Sequence, residues 1–460
     1  MRDGGRGPAF LHVPLGQRGV KRVCRTAIRT ALLLAVLPLP ARAADAPPAP
    51  PPARTLEEVV HATIASEESL RIAEAEVRKA ELRSRRLFLY LTPDVRLQGS
   101  YLRIDAEDSG TNGGPTPGDT YAWAITLNQP LYTGGRATAV YRGQKDQEGS
   151  LRLQAEVTRR SVSVAAAQAF YTVLGAAEAI AIGEQAVALA RLQFERAARR
   201  VQLGEAVLND QLRAEVSLRR FESELAGFRS TLAQAREAVR RLSGLELAAD
   251  LAVPALLPQI TGDDESLVAE ALAARLEPRQ ARHAVAAAEE SVREKKGRFL
   301  PSLALNAAWG ETGEEFSDRG WSWSVGVVLD LPIYDRGSTP YALRESRVEL
   351  EQERLRAEAM SRDIGREVRD LLREIESARS VIESLRLGVA AAAENLRLSG
   401  RRYEVGLADS LEVADAQNAD VVARVGLVAA GYRLEALTLR LRNALGRELF
   451  ARTGAAASLP

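Results

Sequence analysis

Four landmarks of this chain recur at one constant offset. Pro130 and Pro332, Gly135 and Gly337, Gly204 and Gly406, and Gly244 and Gly446 are each 202 residues apart. The words around them agree: Gln-Pro-Leu-Tyr-Thr-Gly-Gly at 129–135 faces Leu-Pro-Ile-Tyr-Asp-Arg-Gly at 331–337. Pro93 and Pro301 are 208 apart, so one loop is shorter in the second half. Prolines and glycines repeated in the same order at one period indicate duplication. Whatever one half folds into, the other half must fold into as well. The first structural repeat is placed at 55–253, the second at 254–447, and a C-terminal tail at 448–460. Pro254, Pro258 and Gly262 break the pattern between them.

Each half follows the same plan. Apolar residues at helical spacing predict a helical stretch over 55–91 and again over 264–299. Strict alternation then predicts two strands. Val95, Leu97 and Tyr101 alternate with Arg96, Gln98 and Ser100, and Tyr121, Trp123, Ile125 and Leu127 with Ala122, Ala124 and Thr126. In the second half the alternating runs are 303–309 and 321–329. Period two over such lengths marks strands with one apolar face. Polar, glycine-rich loops separate the paired strands. Residues 137–202 and 341–404 then contain no proline. A helix of that length reaches about 100 Å, far beyond the usual globular helix. Return helices over 207–243 and 409–445 make each half a giant antiparallel hairpin. Prolines 93, 130, 301 and 332 are read as boundaries between strand and helix.

The amino terminus is a targeting segment. Lys21, Arg22, Arg25 and Arg29 precede the apolar run Ala31–Leu39, and Ala41-Arg42-Ala43 has the form of a cleavage site. Residues 1–43 therefore read as a secretory signal peptide, and 44–54 as a Pro/Ala-rich linker. Loss of the signal removes Cys24, the single cysteine, and leaves 54 basic and 60 acidic residues, a net charge of −6. That balance argues against nucleic acid as a partner. Three histidines and one cysteine cannot build a zinc cluster or a Cys/His catalytic pair. The chain carries no glycine-rich phosphate loop, Gly-x-Ser-x-Gly or His-Glu-x-x-His, so no enzyme activity, cofactor or metal is expected.

All four tryptophans, Trp123, Trp309, Trp321 and Trp323, fall on the apolar faces of the strands. A soluble sheet with an aromatic core would produce this pattern. So would a membrane barrel that is apolar outside and polar inside. The strands have the roughly 9–11 residues needed to cross a bilayer at a tilt. Four strands alone leave two open edges in lipid, which is not permitted, so the membrane reading requires an oligomer. The alternative is a soluble periplasmic coiled-coil scaffold.

The signal peptide, the two-fold repeat, the Gln-Pro-Leu-Tyr-x-Gly-Gly word and the long hairpins together resemble the TolC family of outer-membrane efflux proteins. The resemblance spans about 55–447. Its most specific words are Arg401-Arg402-Tyr403-Glu404-Val405-Gly406-Leu407 and Leu411-Glu412-Val413-Ala414-Asp415-Ala416-Gln417. The region from Arg199 through Gly204 to Asn209-Asp210 is a looser first copy. The resemblance implies an α+β membrane protein of the outer membrane that extends into the periplasm. Long helical hairpins form an α-barrel, and four transmembrane strands per chain contribute to the 12-stranded barrel of a homotrimer. It implies passive export, as the outer-membrane channel of a tripartite efflux or type I secretion system. The partners would be a periplasmic adaptor (membrane fusion protein), an inner-membrane RND or ABC transporter, and outer-membrane lipid. It further implies a periplasmic gate in which Glu412 and Asp415 form acidic rings. Asn209, Asp210 and Tyr403 are candidates for the same constriction. Leu203, Gly204, Glu205, Val405, Gly406 and Leu407 become adaptor-contacting tips. The family often has Asp where this chain has Glu412.

Overall fold

A computed structural model describes residues 54–104, 118–246, 251–254, 257–258, 260–313 and 320–449. The signal peptide, nearly all of the linker, most of the C-terminal tail and the tips of both strand-connecting loops lie outside the described residues. The order is α1 (Leu56–Ser66), α2 (Glu68–Leu89), β1 (Asp94–Ile104), β2 (Gly118–Tyr132), α3 (Arg136–Gln202) and α4 (Leu208–Ser243). The same order then repeats as α5 (Asp264–Ala274), α6 (Glu277–Gly297), β3 (Ser302–Gly313), β4 (Gly320–Asp330), α7 (Ser338–Glu404) and α8 (Ser410–Ala444).

Two sequence expectations are corrected. The single helical stretch over 55–91 is two helices, because Glu67 takes an extended conformation, φ −65° and ψ 122°. The second copy breaks likewise at Arg275. These breaks let the short helices α1 and α5 lie against the long ones. Pro130 is not a boundary. It lies inside β2, where the pairing with β3 slips between Pro130 and Tyr132, so its missing N–H falls at an irregularity of the ladder. By length and composition alone, α3 contains a stretch apolar enough to cross a membrane. Part of its apolar surface packs within the chain: Ala166, Ala167, Phe170, Tyr171 and Leu174 are buried against α1, α4 and α8.

α3 and α7 each run 67 residues without interruption. Both begin after a glycine in the left-handed region, Gly135 at φ 75° and Gly337 at φ 83°. The side chain two residues earlier caps each start. Thr133 Oγ1 accepts from Ala137 N at 3.3 Å, and Asp335 accepts from Gly337 N at 3.1 Å and Thr339 N at 2.7 Å. These bonds satisfy orphan donors of the first turn.

The core repeats with the chain. Val59 and Val60 of α1 pack on Ala166, Phe170 and Val239, while Leu267 and Val268 of α5 pack near Val368 and Leu441. Ala166 and Val368, and Val239 and Leu441, are positions related by the 202-residue offset. Each fully buried aliphatic side chain contributes about 1.5–3 kcal/mol. A third cluster, with Leu218, Phe221 and Val421, joins α3, α4 and α8 closer to the hairpin turns.

The four strands form one antiparallel sheet in the order β1-β2-β3-β4. Register fixes the faces. Leu97, Ile125, Trp309 and Trp323 lie in one row, and Gly99, Trp123, Glu311 and Trp321 in another. Arg96, Thr126, Ala308 and Ser324 occupy the opposite face, as do Asp94, Asn128, Asn306 and Gly326. All four tryptophans therefore share the apolar face. Trp123 and Trp309 meet edge to face at 4.9 Å. That face is not covered by the chain: Trp321, Trp323, Val325 and Leu97 are largely exposed.

Candidate functional site at the hairpin turns

The two hairpins turn in the same way. After α3, Gly204 sits at φ 76°, its N–H bonds to Val201 O at 3.0 Å, and Glu205 N bonds to Arg200 O at 2.8 Å. After α7, Gly406 sits at φ 77°, with Gly406 N to Tyr403 O at 3.1 Å and Leu407 N to Arg402 O at 2.8 Å. These nested bonds are a glycine-dependent helix stop. They thrust Leu203, Val405 and Leu407 into solvent at 69–72% exposure, and Glu205 is exposed beside them.

The return helices start differently. Asp409 caps α8 by accepting from Glu412 N at 2.9 Å. Val207, the matching residue of the first hairpin, offers no side-chain cap to α4. Glu412 lies in the first turn of α8 and points back at its own hairpin. Arg402 Nη1 donates to Glu412 Oε1 at 2.7 Å, and the Ser399 hydroxyl lies 3.4 Å from the same oxygen. Asp415, one turn on, is exposed and makes no ion pair among the described residues. The two acids read together from the sequence are thus in different states, one neutralised by arginine and one open to solvent.

Tyr403 is buried, with the Arg200 guanidinium 5.4 Å from its ring centroid and Arg200 Nη1 3.5 Å from its carbonyl oxygen. Such a cation over a tyrosine ring adds modest attraction. Two further arginines of the first hairpin reach the second. Arg196 bonds Glu404 at 3.1 Å, and Arg213 bonds Asp409 at 3.1 Å. Arg220 Nη2 donates to Asn418 Oδ1 at 2.7 Å. Four arginines of one hairpin therefore bind acceptors of the other. Asn209 is exposed and Asp210 half-buried at the start of α4. Among the described residues neither side chain bonds across to the second hairpin.

Tyr403 and Glu412, candidates from the sequence, lie at the second hairpin turn, and their surroundings are built by Arg196, Arg200, Arg213 and Arg402, whose roles no sequence motif singled out. A signal was present. At the 202-residue offset Arg213 stands where the second copy has Asp415, and Val207 where it has Asp409. Opposite or missing charges at equivalent positions show that the copies are complementary rather than interchangeable at the turns.

A four-stranded sheet with an uncovered aromatic face, set at one end of paired helices some 100 Å long, defines an outer-membrane channel protein. Residues 59–245 and 267–447 match the outer membrane efflux protein family. The chain belongs to that family. It is 26% identical over 344 residues to the outer membrane efflux protein BepC of Brucella suis, covering 73% of this chain and 75% of that one. It is 25% identical over 415 residues to the probable efflux pump outer membrane protein TtgC of Pseudomonas putida, covering 87% and 84%. The fold superposes on the CmeC outer membrane channel of Campylobacter jejuni with a TM-score of 0.75 at 16% identity, over 85% of each chain.

Proposed function

We propose that three copies of this chain close into one export conduit, joined by a periplasmic adaptor to an inner-membrane RND or ABC transporter. The observation that carries this reading is the sheet. β1 and β4 are unpaired edges, and an apolar face with two open edges is stable in lipid only when copies join edge to edge. Three copies of four strands make a 12-stranded barrel. The channel itself does no chemical work; the transporter supplies the energy. The exposed turns around Gly204 and Gly406 are the adaptor-contacting tips. The repeats 55–253 and 254–447 supply equivalent wall elements.

The hairpin turns form the periplasmic gate in this reading. Arg402 neutralises Glu412, so the open acidic ring falls to Asp415. Two like charges at 6 Å repel by about 3 kcal/mol at an effective dielectric of 20, enough to draw cations to a narrow opening. Asp415→Ala should abolish most cation selectivity of the purified channel in planar bilayers. Glu412→Ala should also lower it, because Arg402 is left as an uncompensated positive charge. Unchanged selectivity in both variants would place the constriction elsewhere on the hairpins.

A further inference from the structure

Halfway along the long helices, a cavity of about 500 Å³ opens between α3, α7, α8 and the segment that joins the two repeats. That size suits a small organic molecule. Leu257, Ile382, Leu427 and Val428 supply apolar wall. The polar lining is unevenly satisfied. The Tyr432 hydroxyl donates to Glu178 Oε1 at 2.5 Å, and Glu435 Oε2 accepts the Leu257 N–H at 3.4 Å. Tyr171 is 3% exposed and its hydroxyl has no hydrogen-bond partner among the described residues. Burial, together with the charge of Glu435, pushes that phenol up to about 12, so it stays a neutral O–H donor at neutral pH. A buried donor left without an acceptor is costly, and native structures rarely keep one.

Thr438 donates to Leu434 O at 2.9 Å, and the remaining polar side chains of the lining are cationic. Arg379 and Arg386 are exposed on α7, on the cavity's border. Arg386 has only Glu383, 3.7 Å away, and Arg379 makes no ion pair among the described residues. The site therefore holds an unused donor at its buried end, beside a Glu435 carboxylate already bonded to Leu257 N, and at its rim a guanidinium with no ion pair among the described residues. We propose that this cavity binds a small amphiphilic carboxylate, whose oxygens take the Tyr171 proton and a guanidinium while its apolar body lies on Leu257, Ile382, Leu427 and Val428. Both lining carboxylates already hold donors. An ammonium of equal size would meet two arginines and leave the Tyr171 proton unpaired.

Three probes of one size separate the possibilities: 1-naphthoate, 1-naphthamide and 1-naphthylmethylammonium, titrated calorimetrically into the full-length oligomer in a non-ionic detergent. Naphthoate should bind saturably, the amide about tenfold more weakly, and the ammonium not at all. Tyr171→Phe should weaken naphthoate about tenfold, as loss of a charge-assisted bond would. It removes a hydroxyl with no native partner, so its thermal midpoint should not fall. Arg379→Gln, at an exposed position, should narrow the preference for naphthoate over naphthamide. Absence of saturable naphthoate binding would overturn the site. So would equal binding of the ammonium, or an Arg379→Gln variant that keeps the full preference.

Discussion

At the residue scale, arginine organises the helical part of this protein. Arg275, at the break between α5 and α6, has a side chain only 12% exposed and holds Glu277 at 2.6 Å and Glu367 at 2.5 Å. Burial alone would raise the Glu277 carboxyl, but hydrogen bonding to Arg275 and its charge outweigh that and hold it below the ordinary value. A carboxylate depressed in the folded state stabilises the fold above its unfolded pKa, about 4.3, and that stabilisation is lost as pH falls through the folded value. Thermal unfolding between pH 5 and pH 3 should therefore show a drop that Glu277→Gln flattens. At pH 7 the same variant should be less stable, because Arg275 is left partly unpaired. A Glu277→Gln profile parallel to that of the parent would show that the triad does not set the acid limit.

At the scale of elements, glycines end or start the long helices, but they do so in two kinds of surroundings. Gly204 and Gly406 have positive φ and open space where a side chain would go. Gly134, at φ 65°, would place a Cβ 2.5 Å from Gly297 O, and Gly446, at φ 75°, would place one 2.8 Å from the carbonyl carbon of Ala274. Replacing Gly406 by alanine should cost only the backbone term, about 1 kcal/mol. Gly134→Ala and Gly446→Ala should cost several-fold more, since backbone must move away from backbone. Thermal midpoints of the three variants test the ranking. Equal losses would mean that the tight contacts relax freely. Because the turn at Gly406 faces solvent, bulky β-branched substitutions there should weaken adaptor pull-down more than oligomer assembly.

At the scale of the whole molecule, the proposed closed barrel needs more than one chain. Exposed apolar residues collect on the first elements, with Leu82, Leu89, Tyr90 and Leu97, and on the last strand and its exit, with Trp323, Leu329, Ile333 and Tyr334. Of these, Leu97 lies on β1 and Trp323 and Leu329 on β4, the two edge strands of the sheet. In the proposed barrel, β4 of one copy pairs with β1 of the next, a head-to-tail contact that closes into a ring. Chemical crosslinking of the detergent-solubilised protein should give a ladder that stops at three subunits. A largest stable species of one or two subunits would sink the closed-barrel reading.

The amino-acid sequence determined the duplication, the strand faces and the length of the hairpins. Those follow from properties that each residue carries locally: proline excluded from 137–202 and 341–404, glycine at the turns, and alternation at period two in the strands. Tertiary structure alone decided the pairing of charges. Glu412 and Asp415 look alike in the sequence, one turn apart on the same helix. Arg402 reaches one of them across the turn and leaves the other in solvent. It likewise decided that Arg196 and Arg213 of the first hairpin serve Glu404 and Asp409 of the second. About 200 residues separate the members of those pairs. Local propensity carries no information across such a distance, and only the packing of one hairpin on the other brings the side chains within reach.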